Sequence, residues 1–320
     1  MQVLLGILFL LAGTAAAQDY PSRPIRLVIP FGPGSLADAV PRLIQPALEQ
    51  RLGQRIVIEH RPGAGGNVGA QAVVSSLADG YTLLMAATNN LVINQFVFRE
   101  MKFDPLTELA PVSLVAEVPL IIQVNPGVPA KNLRELIDHA RANPGKLNYG
   151  SPSTATVPHL AMEIFARTAG IQLVHVPFKG GAPAMNALIA NDIQAMLIGY
   201  ATTAGQVRAG QVRAIAVASR SRLAALPGVP TFGEAGFPDL EAAVPSNWWG
   251  MVAPKDTPGP VVQRLANEIR SALGDPEIRK KYQDLGLSPI GSSPQEFASG
   301  LPEQARKWQA VIRDIGPLTN

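Results

Sequence analysis

From residue 25 onward, short apolar runs alternate with amphipathic stretches. Residues 25–30, 55–59, 81–86, 173–177, 193–198 and 213–218 have the length and β-branched content of buried strands. Between them, residues 36–52, 68–77, 133–142, 158–169 and 182–190 place apolar side chains at helical spacing. Strand followed by helix followed by strand predicts an α/β fold, with parallel sheets covered by helices on both faces. Two segments break the rhythm. Residues 109–124 form one long apolar stretch ending at Asn125-Pro126-Gly127, and 247–253 form a strand-like run after the loop-rich 226–239. Both read as crossings between two lobes. Lobe 1 is expected over 18–121 plus 245–320 and lobe 2 over 122–244, with helices at 260–272, 276–285 and 294–315 packing back on lobe 1. A length of 320 residues suits two cores rather than one.

The apolar content, 47%, is partly local. Residues 3–17 are almost uninterrupted Leu, Ile, Val, Phe, Ala and Gly, and they end in Ala15-Ala16-Ala17 before Gln18-Asp19-Tyr20-Pro21. That is the pattern of a secretory signal cleaved after Ala17, although the leading Met1-Gln2 supplies no Lys or Arg. A buried N-terminal helix or an uncleaved anchor is the other reading. No later segment reaches the roughly 18 apolar residues of a membrane span, so a soluble periplasmic protein is expected. The absence of cysteine excludes disulfides, thiol catalysis and thiolate metal sites. A net charge of +3 is spread along the chain without interleaved aromatics, which argues against nucleic acid and mildly favours anionic ligands.

In open parallel sheets, sites form where strands end and helices begin. Four such junctions carry polar or glycine-rich residues. Phe31-Gly32-Pro33-Gly34-Ser35-Leu36-Ala37-Asp38 opens the first long helix, where glycines let a ligand approach and free helix-start amides attract an anion. The same residues also suit a plain turn with Ser35 as N-cap and Asp38 serving only the helix dipole. Residues 61–69 superficially resemble a dinucleotide fingerprint. A GxGxxG begun at Gly63, however, puts Val68 where its last glycine belongs, so the loop reads as structural or as a cleft rim. Thr88-Asn89-Asn90 offers short polar donors that either cap a helix or touch a ligand. Residues 149–159 bring Ser151, Ser153, Thr154 and Thr156 to another helix start, a donor set suited to a carboxylate rather than a metal.

The four histidines, His60, His139, His159 and His175, are dispersed, and HExxH, GxSxG and CxxC are all absent. His159 reads as a packing histidine. Trp248 and Trp249 read either as core packing or as a stacking wall. Neither a cofactor nor a metal is expected.

Six segments occur in an order that resembles the tripartite tricarboxylate transporter substrate-binding proteins, also called Bug receptors. They are Tyr20-Pro21-Ser22-Arg23-Pro24-Ile25, Arg61-Pro62-Gly63-Ala64-Gly65-Gly66-Asn67, Asp79-Gly80-Tyr81-Thr82-Leu83-Leu84, Asn143-Pro144-Gly145-Lys146-Leu147-Asn148-Tyr149-Gly150-Ser151, His175-Val176-Pro177-Phe178-Lys179-Gly180 and Leu226-Pro227-Gly228-Val229-Pro230-Thr231. The resemblance covers nearly the whole chain after the leader. It implies a type II periplasmic binding fold whose two α/β lobes close on a small carboxylate, which is then handed to a pair of membrane permease subunits. It implies a cradle at Phe31, Gly34, Ser35, Leu36, Ala37 and Asp38, faced by Ser151, Ser153, Thr154, Ala155 and Thr156. Thr88, Asn89, Gly180, Gly181, Ala182, Ile198, Gly199 and Tyr200 assist.

Departures from the family pattern bear on the ligand. Ser35, Ser153 and Ala155 stand where family members usually carry glycine, and Ile198 stands where an acidic residue is common. Losing that carboxylate removes an acceptor for a ligand ammonium, so an aliphatic dicarboxylate or an aromatic acid is expected rather than an amino acid. A monomer that serves a transporter is the expected role. A periplasmic partner that presents the acid to a membrane kinase, and a hydrolase, are the alternatives.

Overall fold

The computed structural model describes residues 20–98, 100–244 and 247–316; the leader at 1–17 and the lobe boundary expected at 245 lie outside the described residues. The first strand, β1 (Ile25–Ile29), is an Ile-Arg-Leu-Val-Ile run that is almost wholly buried. It feeds α1 (Leu36–Leu52), which stops at Gly53 because that residue turns into the left-handed region at φ 68°. Then come β2 (Ile56–His60), α2 (Asn67–Val74), β3 (Thr82–Ala87), α3 (Pro105–Glu108) and β4 (Leu109–Val118). A widened helical turn, Asn89–Ile93, follows β3 directly.

The expected single apolar run over 109–124 is two strands. Pro119 separates β4 from β5 (Leu120–Val124), because a residue without an N–H cannot extend the ladder. The chain changes sheets there. Its next elements are α4 (Leu133–Ala142), β6 (Asn148–Ser151), α5 (Val157–Ala169), β7 (Val174–Pro177), α6 (Gly181–Ala190), β8 (Ala195–Gly199), α7 (Ala204–Arg208), β9 (Arg213–Ala218) and α8 (Pro238–Ala243). Finally β10 (Asn247–Pro254) rejoins the first sheet, followed by α9 (Gly259–Gly274), α10 (Pro276–Asp284), β11 (Ser288–Pro289) and α11 (Pro294–Ile315). A reciprocal cap between Ser293 and Glu296 fixes the start of α11.

One sheet has the order β11-β4-β10-β3-β1-β2 and the other β7-β6-β8-β5-β9. Both obey one plan. Parallel strands (β2, β1, β3 in one; β7, β6, β8 in the other) are followed by an antiparallel strand that has just arrived from the other sheet, β10 or β5. Register places the crossings. Trp249 on β10 lies opposite Ala87 at the carboxyl end of β3, and Leu120 on β5 lies opposite Gly199 at the carboxyl end of β8. Both crossings therefore sit beside the strand ends at which α/β proteins bind ligands. Apolar side chains fill both faces of each sheet: Trp248 and Trp249 are adjacent in sequence yet belong to cores on opposite faces, as strand alternation requires. Among the described residues, no helix is long and apolar enough to cross a membrane.

Candidate functional site

The loop leading into α1 is braced from within. Gly34 takes a left-handed φ of 74°, which glycine adopts without strain. Its N–H donates to Asp38 Oδ2 at 3.2 Å, while Arg42 Nε and His60 Nε2 donate to Oδ1 at 2.8 and 2.9 Å. A carboxylate only accepts, so His60 must carry its proton on Nε2. Burial pushes the Asp38 carboxyl up, but the Gly34 amide, His60 and Arg42 together outweigh it and hold the group below the usual carboxylate range. Asp38 thus does more than complement the helix dipole, because it ties residue 34 of the loop to α1 and to the end of β2. Ser35 does not act as a capping acceptor; it sits at the N-cap position with extended backbone, and its Oγ is buried without a hydrogen-bond partner among the described residues. Removing the Asp38 carboxylate leaves three donors without their acceptor. Asp38→Ala is therefore expected to lower folding stability by about 2 kcal/mol at pH 7, measured by urea denaturation. The depressed pKa puts this contribution above about pH 4, and the difference from wild type should vanish as pH falls through the folded value.

The loop after β6, the other half of the expected cradle, is held by side-chain bonds to its own backbone. Ser151 Oγ donates to Ser153 O at 2.9 Å and Thr156 Oγ1 donates to the same carbonyl at 2.8 Å. Ala155 has φ 60°, so the left-handed turn that favours glycine is kept here by an alanine, and its N–H donates to His159 Nδ1 at 3.0 Å. Backbone bonds from Phe178 to Ser151 O and from Gly180 to Pro152 O, at 3.0 and 2.8 Å, fasten this loop to the start of α6. Thr154 is half-buried, and Ala182 is exposed on the first turn of α6.

A histidine pair lies beneath this loop. His159 and His175 stack at 3.9 Å between ring centroids, and Tyr149 stacks on His175 at 4.9 Å. Burial, and for His159 the neighbouring His175, lower the two imidazoles to about 3 and about 4. The pair is therefore neutral at pH 7. Burial and the adjoining Glu163 carboxylate push the Tyr149 hydroxyl up, so it stays protonated and donates to Glu163. Neither His60 nor His175 stood out as functional, because the contacts of each, to Asp38 and to Ser151, lie on other strands and helices and leave no local spacing.

The assisting residues divide. Gly199 is where the lobes meet: a Cβ there would lie 2.5 Å from Val118 and 3.7 Å from Leu36 of the facing loop. Gly181 packs close to Ile198 and Thr202, and Ile198 itself belongs to the core under α6 with Met185 and Val212. Tyr200 is buried with Ile121, Val217 and Leu223. The side chains of Thr88 and Asn89 are engaged inside lobe 1. Thr88 Oγ1 accepts from the Trp248 N–H at 3.0 Å, and Asn89 donates to Gly65 O at 2.5 Å. Asn94 donates to the same carbonyl, so the glycine loop is a braced structural turn. The described residues contain no cluster of three or more His, Asp or Glu able to hold a metal.

Residues 40–317 match the model of the tripartite tricarboxylate transporter family receptor. The chain belongs to that receptor family. This receptor is 32% identical to protein BugT of Bordetella pertussis over 317 residues, covering 98% of this chain and 96% of BugT. In structure it is similar to R. palustris Rpa4515 with adipate, at a TM-score of 0.87 and 32% identity over 93% of this chain and 99% of that one. It is also similar to MatC of Rhodopseudomonas palustris with bound malate, at a TM-score of 0.82 and 29% identity over 91% and 99% of the two chains. The fold is that of a two-lobed periplasmic binding protein, and the family is one of solute receptors rather than enzymes. One contact in this receptor superficially suggests hydrolysis, since Ser151 Oγ lies 2.7 Å from His175 Nε2. Ser153 O, 2.9 Å from the same Oγ, competes for its single proton, and among the described residues no carboxylate is bonded to His175 to orient it as a base.

Proposed function

We propose that the receptor captures a small organic carboxylate, an aliphatic dicarboxylate or an aromatic acid, and delivers it to the membrane permease subunits of a tripartite tricarboxylate-type transporter. The observation that carries this reading is a chain of close contacts leading from the start of α1 through Gly199 to the loops into α6 and α5. The loop into α1 reaches Gly199 through Leu36, and Gly181 beside Ile198 links that wall to the loop into α5. Helix starts present amides and a positive dipole end, which suits carboxylates. Relatives that hold adipate and malate on the same fold support it.

In this reading Phe31, Gly34, Ser35, Leu36 and Ala37 form one half of the cradle and Ser151, Ser153, Thr154, Ala155 and Thr156 the other. Asp38, Thr88, Asn89, Gly180, Gly181, Ala182, Ile198 and Tyr200 support the walls, and Gly199 sets how closely they approach. The lobes hinge at the crossings, at Pro119 and ahead of β10. The protein works as a monomer in the periplasm after cleavage behind Ala17.

Calorimetry and thermal shift with adipate, malate and benzoate, against glutamate and aspartate, test the ligand class. An acid at a hundred times its dissociation constant is expected to stabilise the protein by ~2.7 kcal/mol. Tightest binding of an amino acid would overturn the preference, and failure of every acid to bind would overturn the carboxylate reading itself.

A further inference from the structure

Adjacent tryptophans on β10 have opposite fates. Trp248 donates its indole N–H to Gln304 Oε1 at 2.6 Å and packs edge-on against Phe297, so its polar atom is satisfied within the core. Trp249 is 7% exposed, yet its Nε1–H has no hydrogen-bond partner among the described residues. Buried indole N–H groups nearly always find an acceptor, since leaving one unpaired is unfavourable by about 1–3 kcal/mol.

The position of Trp249 explains what such an acceptor would be. Its ring meets Phe31, the first residue of the loop into α1, edge-to-face at 5.7 Å between centroids. In register it stands opposite Ala87, at the carboxyl end of β3 and beside the crossing. Phe31 and Leu36 pack against the same apolar cluster as Trp249, Ala37 and Val118. The second unpaired buried atom of this region is Ser35 Oγ, on that same loop. The two unpaired groups thus belong to the loop into α1 and to a ring packed on that loop's first residue.

We propose that Trp249 determines ligand choice, with its Nε1–H and the Ser35 hydroxyl donating to a carboxylate of the bound acid at the start of α1. This rests on the carboxylate reading above and narrows it. Lobe 1 then has its own anion-reading set, and on lobe 2 the hydroxyls of Ser153 and Thr154 are left for a second, those of Ser151 and Thr156 being bonded to Ser153 O. Two separate donor sets call for a ligand with two anionic ends, which selects a dicarboxylate over an aromatic monoacid. Ser35 adds a hydroxyl donor to one of those sets.

The test uses the mature protein with succinate, malate, adipate, hexanoate and benzoate as probes. Indole N–H resonances of the three tryptophans, Trp248, Trp249 and Trp308, are assigned with Trp249→Phe, which keeps the ring and removes the donor. The tightest-binding dicarboxylate is expected to move the Trp249 resonance and leave that of Trp248 in place. Trp249→Phe is expected to bind that dicarboxylate about ten-fold more weakly and to lose much of the preference for adipate over hexanoate. A dicarboxylate that binds with the Trp249 resonance unmoved and Trp249→Phe unimpaired overturns this inference alone. So does tightest binding of benzoate. If none of the acids binds the wild-type protein, the carboxylate reading falls and this inference with it. The wild-type spectrum decides the matter even if the variant folds poorly.

Discussion

Acidification from pH 7.5 to 5 is expected to destabilise the folded protein by about 2 kcal/mol through His159 alone, with a further contribution from the less buried His175. The sign follows from the direction of the shifts. Both imidazoles are lowered in the folded protein, to about 3 and about 4, whereas an unfolded histidine titrates near 6.5. Between those values the unfolded chain binds the extra protons, so stability is complete above about pH 6.5 and is lost as pH falls toward the folded values. The groups facing the pair are few. Tyr149 and Ser151 are neutral partners, and Glu163, bound to Tyr149, supplies a carboxylate that would partly offset a positive ring. Protonation also removes the Nδ1 lone pair that accepts the Ala155 N–H, so the loop at 151–156 should loosen and affinity for an acid should fall together with stability. Urea denaturation at intervals from pH 7.5 to 5 measures the slope. His159→Gln, whose side-chain oxygen can accept from Ala155 without titrating, is expected to flatten it by roughly half. An unchanged slope in that variant would place the acid sensitivity elsewhere.

The second large effect is expected at the meeting of the lobes. A side chain at position 199 has nowhere to go, because its first carbon would fall 2.5 Å from Val118 Cγ1, on the strand that carries the crossing, and 3.7 Å from Leu36 of the facing loop. Gly199→Val is therefore expected to wedge the walls apart and weaken binding of the preferred acid by about 100-fold. Its cost to folding stability should be of similar size, about 1–3 kcal/mol. Calorimetry paired with thermal denaturation separates the two. A folded variant with wild-type affinity would show that this approach of the lobes has no part in holding the ligand.

Much of the fold is legible in one dimension because its determinants are local. Short apolar runs such as Ile-Arg-Leu-Val-Ile and helix starts such as Ser293 with Glu296 carry their own instructions, and the alternation of strand and helix implies parallel sheets. The segment 109–124 shows the limit. Its apolar content marks a crossing, but only pairing in two different sheets shows that Pro119 divides it and that both arriving strands run antiparallel to their neighbours.

The site divides the same way. Loops 31–38 and 151–156 were visible as polar or glycine-rich junctions between a strand and a helix, because that chemistry is written in consecutive residues. What braces them was not. Asp38 gains its role from His60 on another strand, 22 residues away, and Ser151 and His159 gain theirs from His175 on β7. Trp248 and Trp249 are indistinguishable as letters. Only the sheet assigns one to a satisfied core and leaves the other, packed on Phe31, with an N–H that has no partner among the described residues. Periodicity and capping depend on neighbours along the chain, and so the sequence by itself determined the elements and their junctions. Hydrogen bonding and burial depend on neighbours in space, and so the tertiary structure decided which junction residues are engaged by distant parts of the chain and which are not.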